Sequence, residues 1–294
     1  MTSRALLLLN PRARDGESMA DRVAGVLRDR GLQLVVEPTE DPAQFAELIG
    51  RHMGRIDRVI VGGGDGTLNA AVQVLVDRSL PLGIIPLGTA NNLARTLGIP
   101  SDLDAACAAS AGATSRRIDL GWVNDRYFCT TASIGLSVQI TEELSSKAKR
   151  RWGPVAYVLT AARVIRRARP IHATIESEAG IRESRTVQIV VGNGRYYGAA
   201  LAVAEDATID DARLDLYSLE VRHWWELVKL APSLKLGTHS KRDEVEAMRG
   251  RSFVVRTRER VTIDLDGELG TETPGHFRVV PRALEVFVPA PSEA

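Results

Sequence analysis

The sequence predicts an α/β N-terminal domain with a parallel sheet, followed by a mostly β-sandwich C-terminal domain. Two observations carry this prediction. Strand-like and helix-like segments alternate through roughly the first hundred residues, which is typical of a parallel sheet with helices on both faces. From about residue 115 many short strand-like runs follow one another with few helices between them, which is typical of an antiparallel sandwich.

Apolar periodicity and turn residues define each element of the first part. The segment 19–30 has helical spacing through Val23, Val26 and Leu27, and Gly31 ends it. Thr67 is expected to cap a helix that runs to residue 77. The predicted strands are 5–9, 33–37, 58–61 and 82–85, and the predicted helices are 19–30, 43–55, 67–77 and 93–97.

The second part opens with a predicted hairpin around Asn124-Asp125, formed by residues 116–123 and 127–134. A helical and basic segment follows, to about residue 169. The remaining predicted strands are 173–177, 186–191, 214–219, 252–257, 261–265, 277–280 and 284–288.

Length and composition limit the class of protein. The 294 residues are enough for two ordinary domains. The two cysteines, Cys107 and Cys129, form no CxxC pair, which disfavours a disulfide framework or a zinc cluster and fits a reducing cytoplasm. The apolar run 5–9 is too short for a signal peptide, and no run approaches the ~20 apolar residues of a membrane-spanning helix. We therefore expect a soluble protein.

Basic residues are concentrated in one segment, although the net charge is only +1. Residues 144–175 contain eight basic and no acidic side chains, which leaves about −7 on the rest of the chain. Arg163, Arg166 and Arg167 recur at helical spacing, and a Trp and a Tyr lie nearby. Such a segment suits the headgroup layer of an anionic membrane, with a solvated helix as the alternative. The small net charge argues against bulk nucleic-acid binding.

Two glycine-bearing turns, VGGGDGT at 61–67 and PLGTANN at 86–92, follow neighbouring predicted strands. A strand that ends in glycines and opens a helix can bind phosphate through backbone N–H groups and the helix dipole. No GxxxxGK[ST] string occurs, and Thr67 stands where the third glycine of GxGxxG belongs. The alternative is a tight turn in which Asp65 only binds nearby N–H groups.

The strings VGGGDGTLNAAV and PLGTANNLAR resemble motifs of the diacylglycerol kinase catalytic family, soluble lipid kinases that include, more distantly, sphingosine and ceramide kinases. The resemblance covers nearly the whole chain. It implies an ATP-binding domain over residues 1–120, to which a last strand near 282–290 returns, a β-sandwich lipid-substrate domain over 121–281, and a cleft between them. The further matching strings are NP at 10–11, RRIDLGWVN at 116–124, TASIG at 131–135, VGNGRYYG at 191–198, DDARLD at 210–215, LDGE at 265–268 and VPRALEVFVP at 280–289.

The resemblance also implies residue roles. Asp65 acts in the Mg²⁺-ATP site as metal ligand and catalytic residue, and Glu268 is the general base that takes the proton from the lipid hydroxyl. A plain hairpin turn is the alternative for Asp266-Gly267. The residues implied to bind the nucleotide cofactor are Asn10, Gly63, Gly64, Asp65, Gly66, Thr67, Gly88, Thr89, Asn91, Asn92 and Asp266.

Two departures from the family pattern bear on metal binding. Asn92 stands where the family often has an aspartate, and an amide supplies no negative charge. The DDARLD string resembles a turn that binds a structural Mg²⁺ in some members, so Asp210, Asp211 and Asp215 are candidate ligands. Ala212 replaces the glycine of that turn, which is unfavourable if the turn needs a positive φ.

The implied function is ATP-dependent phosphorylation of a membrane lipid hydroxyl, with diacylglycerol to phosphatidic acid as the default reaction. The alternatives are a sphingoid or other lipid kinase, an NAD kinase-like enzyme, or a catalytically silent lipid- or nucleotide-binding protein. The expected location is the cytoplasm with peripheral membrane association, nucleic acid is not an expected partner, and a homodimer is left open. The residues expected to meet the membrane are Lys147, Lys149, Arg150, Arg151, Arg163, Arg166 and Arg167.

Overall fold

The computed structural model describes residues 3–9, 16–39, 41–143, 163–167, 169–194, 196–197, 201–202, 208–221, 226 and 245–290. The chain divides into two compact units. The first comprises Met1–Leu120 and Pro281–Ala294, and the second comprises Gly121–Val280. No helix among the described residues is long and apolar enough to cross a membrane.

The first unit alternates strands and helices from its start. Its strands are β1 (Arg4–Leu9), β2 (Gln33–Pro38), β3 (Arg58–Gly63) and β4 (Leu82–Pro86), and β5 (Ser115–Val123) begins in it. Its helices are α1 (Gly16–Asp29), α2 (Phe45–His52), α3 (Asp65–Arg78), α4 (Asn92–Thr96) and α5 (Leu103–Ala111).

The sheet of the first unit is parallel, in the order β2-β1-β3-β4. Strand β1 is buried over its whole apolar run, from Ala5 to Leu9, and β3 is buried from Val59 onward. Continuous apolar strands of this kind are expected where helices cover both faces of a parallel sheet. The carboxyl ends of β3 and β4 are neighbours, since Gly63 pairs with Pro86.

The second unit consists mostly of short strands. They are β6 (Arg126–Phe128), β7 (Thr131–Gly135), β8 (Ile171–Ser177), β9 (Gly180–Thr186), β10 (Gln188–Gly192), β11 (Tyr196–Tyr197), β12 (Leu201–Ala202), β13 (Leu214–Leu219), β14 (Val245–Gly250), β15 (Ser252–Thr257), β16 (Thr262–Leu265), β17 (Glu268–Glu272) and β18 (Gly275–Phe287). Helix α6 spans Leu136–Glu143, and residues 163–167 are also helical.

Most of these strands form two packed antiparallel layers, while β11 and β12 pair only with each other and β6 pairs with β5. One layer has the order β14-β13-β10-β7-β16-β17, and the other contains β18, β15, β8 and β9 in that order. Fully buried apolar side chains from both layers make one core, among them Ile189 and Leu216 from the first and Phe253 and Phe277 from the second. An α/β domain with a parallel sheet and a β sandwich are both present, so the predicted fold class is confirmed.

Three predicted strands differ in detail from the observed ones. The segment 127–134 is not one strand but two, β6 and β7, which belong to different sheets. Residues 277–280 and 284–288 are not two strands but the single β18, which is irregular at Pro281-Arg282. Proline has no N–H to donate, and Arg282 has a φ of 52° and donates its N–H to Asp119 Oδ1 at 2.7 Å.

The C-terminal part of β18 lies in the first unit, where Val286 pairs in parallel with Leu82 of β4. Arg58 reinforces this end of the unit. The Cζ atom of its guanidinium lies 3.8 Å from the centroid of the Phe287 ring. Its Nη1 donates to the carbonyl oxygens of Ser110 and Gly112, each at 3.0 Å. Five strands, β9, β11, β12, β14 and β17, have no counterpart among the predicted ones.

Candidate active site

The VGGGDGT turn joins β3 directly to α3. Gly64 is the N-cap of the helix, in an extended conformation and without a side-chain cap, and Asp65 is the first helical residue. The expectation that Thr67 caps this helix is therefore wrong, since Thr67 already lies in its first turn. The first helical hydrogen bond runs from the Leu68 N–H to the Gly64 carbonyl at 3.0 Å. The N–H groups of Gly66 and Thr67 thus make no bond within the helix, at the end where the dipole favours anions.

The second glycine turn packs against the first. The Leu87 N–H donates to the Gly63 carbonyl at 3.0 Å. A Cβ on Gly88 would lie 2.5 Å from the Gly64 Cα, and a Cβ on Gly64 would lie 3.2 Å from the Gly88 Cα. Backbone meets backbone here, so Gly88 has no room for a side chain, and a side chain at Gly64 would need the turns to move apart by a few tenths of an ångström. The two turns lie at the same edge of the sheet, because β3 and β4 are adjacent parallel strands.

The carboxylate of Asp65 faces the start of α4. Its Oδ1 accepts the Leu93 N–H at 3.3 Å, and its Oδ2 lies 3.5 Å from the Asn92 Nδ2. An ionised carboxylate only accepts hydrogen bonds, so the amide nitrogen of Asn92 is the atom that must face it. Asn92 is only 6% exposed, and its Oδ1 is buried with no hydrogen-bond partner among the described residues.

Asn91 shapes the second turn with its side chain. It adopts the left-handed conformation with a φ of 50°. Its Oδ1 accepts the Gly88 N–H and its Nδ2 donates to the Gly88 carbonyl, both at 2.9 Å. The amide is thus bound to the turn itself. Thr89, Asn91 and Arg95 line a cavity of ≈ 370 Å³ beside the turn.

The residues around Asp65 fit a Mg²⁺ ion that arrives with phosphates. Mg²⁺ is usually held by one or two carboxylates together with water and substrate phosphate oxygens. Asp65 supplies the carboxylate, whereas the Asn92 carbonyl oxygen is buried and belongs to an amide whose nitrogen, not its oxygen, faces that carboxylate. No group of three or more His, Cys, Asp or Glu side chains that could hold a metal occurs among the described residues. A single carboxylate at the start of a helix suits a metal that is bound largely through nucleotide phosphates.

In the second unit, Asp266-Gly267 is a two-residue turn between β16 and β17, in which Leu265 pairs with Glu268. Both turn residues have positive φ, 52° and 94°, as a tight hairpin of this length requires. The Asp266 carboxylate is also strongly bound. It accepts the N–H groups of Cys129, Thr130 and Thr131 at 2.7, 2.8 and 3.0 Å and the Thr130 hydroxyl at 2.7 Å.

This carboxylate explains why β6 and β7 are separate strands. Three consecutive N–H groups, from Cys129 to Thr131, donate to this one side chain. Cys129 and Thr130 lie outside both strands, where the chain bends. The Asp266 N–H in turn donates to the Thr131 carbonyl at 2.9 Å. Glu268 is exposed at the start of β17. The bonds of Asp266 hold the backbone that presents Glu268.

Two of the three aspartates in the DDARLD turn lie against arginines. Asp215 Oδ1 lies 2.6 Å from the Arg249 Nε. Asp211 accepts the N–H of Arg213 at 3.1 Å and lies 3.5 Å from its guanidinium. Ala212 has a φ of 55°, so this turn does need a positive φ. The candidate metal ligands Asp210, Asp211 and Asp215 do not form a carboxylate cluster that could hold a metal.

Two residues stand out that the sequence did not single out. Arg249 lies on β14, which was not predicted as a strand. Asp119, in the RRIDLGWVN string of the first unit, is only 1% exposed and accepts the Arg282 N–H. An aspartate within an apolar strand was a signal of a bonded, buried carboxylate.

The expected membrane-facing residues are only partly within the described chain. Arg163, Arg166 and Arg167 are exposed on the helical residues 163–167, whereas Val164 between them is buried. Asn10 and the basic residues Lys147, Lys149, Arg150 and Arg151 lie outside the described residues.

The chain is similar to known proteins over nearly its whole length. A sequence profile described as "Diacylglycerol kinase catalytic domain" matches residues 4–123, and one described as "YegS C-terminal NAD kinase beta sandwich-like domain" matches residues 130–288. The "Diacylglycerol kinase" of Bacillus subtilis is 31% identical over 79% of this chain and 78% of its own length. The "Probable lipid kinase YegS" of Salmonella arizonae is 30% identical over 97% of this chain and 96% of its own. A crystal structure of a diacylglycerol kinase from Bacillus anthracis shares the fold, with a TM-score of 0.79 and 22% identity over 99% of this chain and 98% of that one.

Proposed function

The chain belongs to the diacylglycerol kinase catalytic-domain family, with a YegS-type C-terminal domain, and on that basis we propose that it transfers the γ-phosphoryl group of ATP to the hydroxyl of a membrane lipid. Diacylglycerol is the default acceptor, which gives phosphatidic acid. The observation that carries the proposal is the close backbone contact between the two glycine turns, at Gly64 and Gly88. Asp65 is the first residue of α3 and directly follows this contact. The neighbouring N–H groups of Gly66 and Thr67 make no bond within the helix and can donate to an anion.

The first unit offers the chemistry that phosphoryl transfer needs. That reaction depends mainly on positioning and on neutralising the charge of the phosphates. In the proposal, the N–H groups of Gly66 and Thr67 and the dipole of α3 hold phosphate oxygens. Asp65, with Asn92 beside it, holds Mg²⁺, which would neutralise charge on the phosphates when it is bound. Gly64 and Gly88 let the two turns pack against each other and keep Asp65 close to Asn92, because neither glycine carries a side chain.

The second unit supplies the candidate base. An exposed carboxylate at a hairpin can accept the proton of a lipid hydroxyl as the oxygen attacks the γ-phosphorus. Glu268 occupies such a position, and the bonds between Asp266 and residues 129–131 fix the hairpin that carries it. In this proposal Asp266 positions Glu268, in addition to the nucleotide contact that the family resemblance implies.

The decisive assay is transfer of labelled phosphate from ATP to lipids in mixed micelles by the full chain. Diacylglycerol and a sphingoid base are the first two acceptors, and a total lipid extract identifies any other by mass spectrometry of the products. We expect labelled phosphatidic acid from the wild type and none from Asp65→Ala or Glu268→Ala. Equal inactivity of all three proteins on the whole panel would refute the proposal. Nucleotide binding without lipid-dependent ADP release would indicate a catalytically silent binding protein.

An NAD kinase-like activity is the second candidate, because the profile that matches residues 130–288 is described as NAD kinase beta sandwich-like. The sequence has no string resembling the TGSTAY of NAD kinases. Incubation with ATP and NAD decides between the two. Formation of NADP at a rate above that of lipid phosphorylation would replace the lipid kinase proposal.

Membrane docking at the cytoplasmic face is part of the same proposal. Arg163, Arg166 and Arg167 are exposed together, and each basic residue near an anionic surface contributes about 1 kcal/mol. Co-sedimentation with phosphatidylglycerol vesicles should fall sharply in the triple variant R163Q/R166Q/R167Q. The matched control is R182Q/R185Q/R256Q, which removes three exposed arginines from the sandwich strands. Equal loss of vesicle binding in both triple variants would show that binding depends only on the total charge of the protein and not on this helix.

A further inference from the structure

The turn at residues 210–215 leads into β13, and the register of β13 with its two neighbouring strands determines which residues surround Asp215. Across β13, Asp215 is opposite Arg249 of β14 on one side and Gly192 of β10 on the other. Its neighbours Leu214 and Leu216 point into the sandwich core, so Asp215 lies on the opposite face of the sheet. The side chain directly across from it on that face is an arginine.

The contact between Asp215 and Arg249 is short and sheltered. The Arg249 Nε lies 2.6 Å from Asp215 Oδ1, and the side chains are 35% and 13% exposed. A guanidinium stays protonated at any ordinary pH and binds carboxylates through directed N–H donors. The neighbouring strand therefore holds a permanent positive charge on this carboxylate.

The rest of the turn is stabilised from within. Asp211 accepts the backbone N–H of Arg213 two residues later, and the Arg213 guanidinium lies 3.5 Å from its other oxygen. Ala212 keeps the left-handed conformation without the glycine that such a turn favours. Among the described residues, no three acidic, His or Cys side chains are arranged to take an ion here.

We propose that Arg249 takes the place of a structural cation at the 210–215 turn, so that the second unit needs no divalent metal there. The guanidinium supplies the positive charge that Asp215 requires, and a divalent ion beside it would be repelled. Arg249 lies opposite Asp215 because of the register in which β13 and β14 pair. The positive charge beside Asp215 is therefore supplied by the folded chain itself. This inference is independent of the proposed catalytic function.

The test measures thermal unfolding with EDTA and with millimolar Mg²⁺ or Ca²⁺, without nucleotide. All proteins carry Asp65→Asn, so that metal at the nucleotide site does not contribute. The parent should have the same Tm in all three solutions. Arg249→Met should unfold several degrees lower in EDTA and should regain part of the loss in Mg²⁺ or Ca²⁺, because the ion pair between Arg249 and Asp215 is then lost. Arg249→Lys, which keeps the charge, should lie close to the parent and show no metal response.

The matched control is Arg256→Met. Arg256 also binds a carboxylate through its Nε, on Glu176 at 3.0 Å, but this pair is more exposed, with side chains 50% and 37% accessible. Its removal should lower the Tm slightly, with no response to metal. The proposal fails if the parent gains stability from Mg²⁺ or Ca²⁺ and Asp215→Asn abolishes that gain. It also fails if a folded Arg249→Met protein is indifferent to both cations. If Arg249→Met does not fold, the metal response of the parent, of Asp215→Asn and of Arg249→Lys decides.

Discussion

Gly88 approaches Gly64 so closely that a Cβ on Gly88 would lie 2.5 Å from the Gly64 Cα. This contact joins the turns that follow β3 and β4, and it sets the distance between the N-terminus of α3 and the loop that carries Asn91 and Asn92. A side chain at either position must push the two turns apart. The nucleotide site we propose therefore depends on a backbone contact and not only on its polar residues.

Gly88→Ala tests this dependence. The added methyl should lower the free energy of unfolding by about 1–3 kcal/mol, as overpacking does, and should abolish lipid phosphorylation. Calorimetry and the micelle assay measure the two effects. Gly25→Ala is the control, because Gly25 lies within α1 and a Cβ there meets nothing within 4 Å. That variant should be as stable as the wild type or more so. Normal activity of Gly88→Ala would show that the turns can separate.

Asn92→Asp places a second carboxylate 3.5 Å from Asp65. Two like charges in a buried position repel each other, so the variant should have a lower Tm than the wild type in EDTA. Mg²⁺ should restore the loss and should bind more tightly than to the wild type, which Mn²⁺ titration followed by electron paramagnetic resonance can measure.

The charge-swapped variant Asp65→Asn/Asn92→Asp is the control for Asn92→Asp. It again has one carboxylate and one amide, so its Tm in EDTA should return towards that of the wild type. Its activity should be far below that of the wild type, because the carboxylate is no longer the first residue of α3. A Tm of Asn92→Asp that does not respond to Mg²⁺ would mean that no metal enters between these side chains.

Asp266→Asn should destabilise the second unit by roughly 2 kcal/mol, the scale of hydrogen bonds to a charged acceptor. The amide keeps the shape but turns one acceptor oxygen into a donor that faces the N–H groups of residues 129–131. Chemical denaturation measures the loss. Asp125→Asn is the matched control, since Asp125 is exposed in a nearby turn and should change stability by less than about 0.5 kcal/mol. Equal stability of both variants would remove the structural role we give to Asp266.

Glu268→Gln should separate chemistry from folding. Loss of a general base typically costs about 10²–10⁴ in rate, whereas an exposed glutamate contributes little to stability. We expect kcat to fall with an unchanged Tm. Glu272→Gln, an exposed glutamate in the same strand, should retain wild-type kcat. A variant at position 268 with full kcat would exclude Glu268 as the base.

Cys107 should be unreactive in the folded protein. Burial, with the charge of Asp104 as a smaller cause, raises the pKa of its thiol to about 11. The thiolate is the species that alkylates, so iodoacetamide should label Cys107 far more slowly at pH 8 in the native protein than in urea. Mass spectrometry of the peptides measures both rates, and equal rates would contradict this. Because the folded pKa is the higher one, this thiol favours the unfolded state as the pH rises above an ordinary cysteine pKa.

Local patterns were enough for the fold class and for the positions of both glycine turns. The alternation of apolar strands and amphipathic helices identified the parallel sheet, and short strands between turn residues identified the sandwich. Strands with an unusual local pattern were missed. Strand β14, with the sequence VEAMRG, is only partly buried, so its periodicity is weak. Strand β9 was missed for the same reason, because it is mostly exposed and polar.

The sequence by itself determined which residues can do chemistry: a carboxylate within a glycine turn, an amide where an acid often stands, and a DGE string near the C-terminus. Only the tertiary structure decided what these residues touch. Asp266 binds the backbone of residues 129–131, more than 130 positions away, and Asp215 meets Arg249 because β13 and β14 pair in one register. Contacts of this kind depend on strand register and chain reversal. Those are set by the packing of the whole core, so no window of local sequence contains them.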